Sequence, residues 1–173
     1  EYATAVILKD LKAEDLEDLA HLSFETGSLV LHGEIVLFTS GSQDEIGVLP
    51  AVKTLTEKAA FISHTHPSIY SEEGPSGQDI NEAVMAPARE YVITHKGVYA
   101  YNNQGILNGG KPYSYEWYLE KIGEAVEASK GKRDQVEARA ALNQFIAEQD
   151  RYNEATEEER ITFRRGGTLS PNP

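Results

Sequence analysis

With 173 residues, the chain is long enough for one domain with a real core, or for such a domain plus a helical appendage. Its 28 acidic and 16 basic residues give a formal net charge of -12. That balance argues against a nucleic-acid backbone or an anionic membrane surface as the main partner, since both reward clustered Lys and Arg. The absence of cysteine removes disulfides, thiolate metal sites and a cysteine nucleophile, so any metal site must be built from His and carboxylates. No run of about 20 apolar residues is present to span a bilayer, and no signal peptide is visible. A soluble, cytoplasmic chain is favoured, although the cysteine count does not fix the compartment. The first residue is Glu1 rather than Met, the start expected of a processed chain or an excised domain.

In chain order, residues 2–8 read as a short strand rich in β-formers. Leucines at 11, 16, 19 and 22 have helical spacing with an acidic outer face. Residues 28–31 and 34–39 flank His32-Gly33 and predict a hairpin. Residues 46–49 read as a further strand, and Pro50 suits the first turn of a helix through about residue 58. The apolar run 59–63 reads as a buried strand that delivers His64 to its C-terminal end. Residues 67–77 read as a loop, and Ser76 as the N-cap of a helix over about 77–85. Residues 91–94 and 97–101 flank His95-Lys96 as a second hairpin, and 102–112 form a turn-rich connection. From 114 to about 160 the sequence is helix-forming, with Gly123 and Gly131 as the expected weak points. One apolar stripe combines Trp117, Tyr118, Ile122 and Val126, and another Val136, Leu142, Phe145 and Ile146. Thr156 and Glu159 form a capping box. The division expected is residues 1–113 as the main domain, 114–163 as a C-terminal helical extension and 164–173 as a flexible tail. The fold expected is α/β, with a mixed, mostly antiparallel sheet flanked by helices and followed by C-terminal helices.

The segment that carries chemistry is His64-Thr65-His66-Pro67, followed by Ser76-Gly77-Gln78-Asp79. Residues i and i+2 of a strand point the same way, so both imidazoles can face one ion. Asp79, one turn into the helix capped by Ser76, can turn its carboxylate back toward the strand end. Two His and one carboxylate leave a fourth tetrahedral position open, as a catalytic zinc site requires. His21, His32 and His95 read as surface residues, and Tyr99 and Tyr101 as sheet-face residues.

This pattern resembles the JAMM (MPN+, JAB-domain) zinc metallopeptidases, whose signature is an upstream Glu, then His-x-His-Pro, a spacer and Ser-x-x-Asp. The stretch from Pro50 to Ser68 especially resembles the bacterial RadC-like and JAB branches. The resemblance covers roughly residues 1–110. It implies a cytidine-deaminase-like JAB/MPN fold and one zinc ion on His64, His66 and Asp79. It also implies that Ser76 supports the oxyanion, that an upstream Glu is the general base, and that the reaction is hydrolysis of a peptide or isopeptide bond. Glu25 is the favoured base, because Glu25-Thr-Gly-Ser-Leu-Val-Leu-His-Gly resembles the family's Glu-x-x-Gly-Leu-Leu-x-Gly strand with the first Gly displaced by one. Glu34 is the competitor. The spacer from Pro67 to Pro75 holds nine residues, two more than is usual in the family. The partner implied is a protein or peptide substrate, a ubiquitin-like tail among the candidates, with no nucleic acid and no membrane. The alternative is a non-catalytic JAB/MPN-fold binding scaffold.

Overall fold

A computed structural model of the protein describes residues 4–39, 61–67, 74–82, 90–130 and 134–164. Strand β1 (Thr4–Leu8) leads to helix α1 (Ala13–Ala20), then strands β2 (Gly27–Leu31), β3 (Glu34–Thr39) and β4 (Phe61–Thr65). Helix α2 (Gly77–Glu82) precedes β5 (Glu90–Thr94), β6 (Gly97–Asn102) and the short β7 (Gly105–Ile106). A 3-10 turn at Asn108–Gly110 and helices α3 (Tyr115–Ser129), α4 (Asp134–Glu154) and α5 (Glu157–Arg164) follow. Among the described residues, seven strands form one sheet in the order β1-β3-β2-β4-β5-β6-β7. Pairing is antiparallel throughout except between β4 and β5. The mixed, mostly antiparallel sheet flanked by helices is therefore as expected.

The turn at His32-Gly33 has positive φ at both residues (48° and 79°). A two-residue type I′ turn needs this, because its twist matches that of the strands it joins. Gly33 N–H donates to Ser129 Oγ at 2.8 Å, tying the hairpin tip to the end of α3.

Side-chain alternation sorts the sheet into two covered faces. One face places Val30, Ile35, Tyr91, Ile93, Val98 and Ala100 against Leu16 and Ala20 of α1 and Tyr118 and Ile122 of α3. The helix after residue 114 thus contributes to the same core as the sheet. On the other face, Ile80 of α2 packs on Val92 and Tyr101, while Phe145 of α4 meets Phe38 edge-on, with centroids 6.3 Å apart. Each fully buried aliphatic or aromatic side chain contributes about 1.5–3 kcal/mol.

Several local expectations shift. Helix α1 ends at Ala20 rather than Leu22, because His21 and Leu22 donate to Asp18 and Leu19 in i to i−3 turns. Gly123 does not interrupt α3. It lies on the exposed side, where a Cβ would meet nothing within 4 Å, and its cost of about 1 kcal/mol relative to Ala is tolerated. The helix stops instead at Ser129, whose hydroxyl donates to Val126 O at 3.1 Å, before an extended Lys130. Val136 is 60% exposed, whereas Leu142 and Phe145 are buried. At about 100° per residue, Val136 and Phe145 fall on opposite sides of α4. The capping box at Thr156 is present: Glu159 N–H donates to Thr156 Oγ1 at 3.2 Å, and Thr156 N–H to Glu159 at 3.4 Å. Helix α5 extends to Arg164. The strand and helix expected over 46–58, Gly131 and residues 165–173 lie outside the described residues.

Candidate metal centre

The strand that carries the histidines is paired on both sides. Its register places His64 opposite Gly27 of β2 and Val92 of β5. The apolar run 59–63 is expected to deliver His64 to the strand's C-terminal end; the structure carries the strand through Thr65, because both neighbours offer partners there. Pairing persists one step further, where His66 N–H donates to Ile93 O at 3.0 Å. Pro67 then supplies no N–H, and the ladder stops. Alternation turns Ser63 to the opposite face, where its hydroxyl lies 2.7 Å from that of Tyr118, and leaves His64 and His66 together on the face of α2.

Asp79 meets them from α2. Ser76 and Asp79 form a reciprocal capping box: Asp79 N–H donates to Ser76 Oγ at 3.1 Å, and Ser76 N–H donates to Asp79 Oδ2 at 2.8 Å. This exchange fixes the carboxylate toward the strand. His64 Nε2 lies 3.1 Å from His66 Nε2. Asp79 Oδ1 lies 3.4 Å from His64 Nε2, and Asp79 Oδ2 3.3 Å from His66 Nε2. Burial raises the Asp79 pKa, but the hydrogen bonds with His64 and His66, the charge on His64 and the Ser76 amide outweigh it, so the carboxyl is held well below the usual carboxylate range.

Among the described residues, His64, His66 and Asp79 form a group that could hold a metal ion, with ligand atoms within 4.8 Å of one another. Metal–ligand bonds of about 2.0–2.1 Å in a tetrahedron put donors roughly 3.3 Å apart. Octahedral cis donors at similar bond lengths would stand roughly 3.0 Å apart. The observed 3.1, 3.3 and 3.4 Å, the last two to different Asp79 oxygens, are in the range of donors that share one ion. The three side chains are 15%, 8% and 19% exposed, so the donors are largely shielded from solvent. No family model, curated protein or solved structure matches the chain. The reading of this centre rests on its own geometry.

The two candidate bases lie far apart. Beyond Gly27, the β2–β4 ladder continues at Thr26: Thr65 N–H donates to Thr26 O at 2.9 Å, and Thr26 N–H to Thr65 Oγ1 at 2.9 Å. Glu25 immediately precedes this contact, just outside β2, at the end of the strand where Gly27 pairs with His64. Thr39 Oγ1 holds this turn by donating to Glu25 O at 2.6 Å. Glu34 pairs with Leu31 at the other end of β2, about 13 Å along the strand, and forms an ion pair with Arg139 of α4.

Ser76 Oγ spends a lone pair on Asp79 N–H and keeps its own proton to donate. The other histidines lie off the centre. His21 and His95 are exposed, with rings edge-on and centroids 6.4 Å apart, and His32 occupies the hairpin turn. The sequence reading missed the support of the His64 ring. Tyr101 stands edge-on to it, with centroids 6.4 Å apart, and donates its hydroxyl to Glu90 Oε2 at 2.9 Å. Alternation put Tyr99 and Tyr101 on one face, but only the β4–β5–β6 strand order places that face beside His64.

Proposed function

We propose that the protein is a zinc-dependent hydrolase of peptide or isopeptide bonds, with a JAB/MPN-type, cytidine-deaminase-like fold and a JAMM-like centre. The observation that supports this reading is the convergence of His64, His66 and Asp79, whose ligand atoms lie close enough to share one ion, at the end of β4 that pairs with Gly27, two residues after Glu25. His64, His66 and Asp79 would hold the ion, a borderline-soft cation suited to two imidazoles and a carboxylate. When bound, zinc supplies Lewis acidity that polarises a carbonyl and makes water a stronger nucleophile near neutral pH.

The chain's own groups do the rest. The Glu25 carboxylate takes a proton from the attacking water and returns it to the departing amine. The Ser76 hydroxyl, fixed by the Asp79 amide, donates to the carbonyl oxygen as negative charge develops on it. Asp79 remains ionised and orients both imidazoles. A binding scaffold is the second reading, favoured to the extent that capping Asp79 already accounts for Ser76.

The test combines metal analysis with turnover. Purified protein should carry one zinc per chain and cleave members of a panel of peptide and isopeptide substrates, and a chelator should abolish the cleavage. Zinc without cleavage of any substrate would support the scaffold. A chain that neither retains nor takes up zinc would end the metal reading altogether.

A further inference from the structure

Among the described residues, strand β1 is at the edge of the sheet, and it keeps an exposed aliphatic side chain on each face, with Val6 48% and Ile7 37% exposed. Edge strands of soluble proteins are commonly blunted by charge, Pro or a covering element. Here a groove of about 490 Å³ opens beside the edge, floored by Leu8 and Leu37 of the sheet and walled by Leu11, Leu19 and Leu22. Register places it on the α1 face. Val6 pairs with Leu37 and Leu8 with Ile35, and Ile35 belongs to the core under α1. Val6 therefore extends the apolar floor outward to the edge itself. Asp10, Asp15 and Asp18 border the groove, against a single ammonium from Lys12.

We infer that this edge is a docking site for an extended peptide segment with an aliphatic residue flanked, two positions to either side, by Lys or Arg. Strand addition to β1 would satisfy the backbone groups on its open side and set alternate side chains of the segment over the α1 face. The aliphatic side chain enters the leucine-lined groove beside Val6 and Leu8. The two basic side chains, on the same face by alternation, reach the carboxylates of Asp10 and Asp18. An acidic segment would meet repulsion there. The site is separate from His64, His66 and Asp79 and does not depend on the metal.

The test uses the full chain and three fluorescein-labelled peptides of one alternating pattern. One carries Lys around a central Leu, one carries Glu in place of Lys, and one is the Lys peptide N-methylated at alternate backbone positions. The Lys peptide should raise the anisotropy saturably, with binding weakened by salt. Its affinity should fall on the order of tenfold with Asp10→Asn/Asp18→Asn, a surface variant whose circular dichroism should match the parent's. The methylated and Glu peptides should bind far more weakly, and the Lys peptide should slow amide exchange at Val6 and Ile7. Failure of the Lys peptide to bind, equal binding of the Glu peptide, or indifference to methylation would overturn the proposal. So would a concentration-dependent dimer that protects the same amides and excludes the peptide.

Discussion

Ser76 and Asp79 hold each other by two reciprocal hydrogen bonds, side chain to backbone in both directions, at 3.1 and 2.8 Å. The Ser-x-x-Asp spacing therefore has an architectural reason before any catalytic one: the residue that starts the short helix α2 also aims the carboxylate that faces His64 and His66. Replacing Ser76 with Ala should remove the cap, at about 1 kcal/mol of local stability. It should weaken zinc binding by roughly 10- to 100-fold, as loss of an outer-shell partner does. Competition with a chromogenic chelator measures this; unchanged affinity would mean that Asp79 is oriented by something else.

Glu25→Gln should leave zinc content and folding intact while lowering turnover by roughly 100-fold or more. Glu34→Gln, at the far end of β2, should cost only its ion pair with Arg139, about 1 kcal/mol or less for groups this exposed, with turnover unchanged. Steady-state kinetics on both variants decides between them, and a Glu25→Gln enzyme at full speed removes that residue from the chemistry.

The Gly27→Ala variant tests how tightly the metal strand is packed. A Cβ at Gly27 would sit 2.4 Å from Phe38 Cζ, and Phe38 is itself packed against Phe145. With little room for the ring to move, overpacking should cost about 1–3 kcal/mol, seen as a lower urea midpoint. Because Gly27 faces His64 across the ladder, zinc affinity should fall as well.

Tyr118→Phe should destabilise the fold by about 1–3 kcal/mol, since it strands the buried Ser63 hydroxyl. Burial, only partly offset by the hydrogen bond to Ser63, pushes the Tyr118 phenol above its ordinary value. The folded state therefore holds this proton more tightly than the unfolded chain does. That contribution is fully present below about pH 10, the ordinary phenol value, and is lost as pH rises toward the folded value. Denaturant titrations across the alkaline range should show a shallower decline for the Phe variant; parallel declines would contradict the assignment.

Features set by local chemistry could be read from the residues alone. His32-Gly33 predicts its hairpin because Gly accepts positive φ and the flanking residues favour strands. Thr156 and Ser76 announce helix starts through acidic partners three residues on. His64, His66 and Asp79 could be grouped because strand alternation and a helix cap are both short-range rules. What escaped depends on neighbours distant in sequence. β4 runs on through Thr65 only because Thr26 and Ile93 lie to either side. Tyr101 supports His64 only because β6 follows β5 across the sheet. Val136 looked like core until the α4 residues that meet the sheet, Leu142 and Phe145, fixed which side of the helix faces inward. The separation of Glu25 from Glu34 is likewise a matter of which end of β2 meets His64.

The hydroxyl pair of Ser63 and Tyr118 has a consequence for dissection of the chain. Tyr118 belongs to the first turn of α3 and occupies the hydrophobic layer beneath the strand that presents the histidines. A protein cut before Ser114 would keep every proposed zinc donor yet lose one wall of its interior, exposing Val30, Ile93 and Ala100 to water. Such a fragment should aggregate rather than act as a minimal enzyme, so in any transplant or fusion α3 must travel with the metal strand as one inseparable unit.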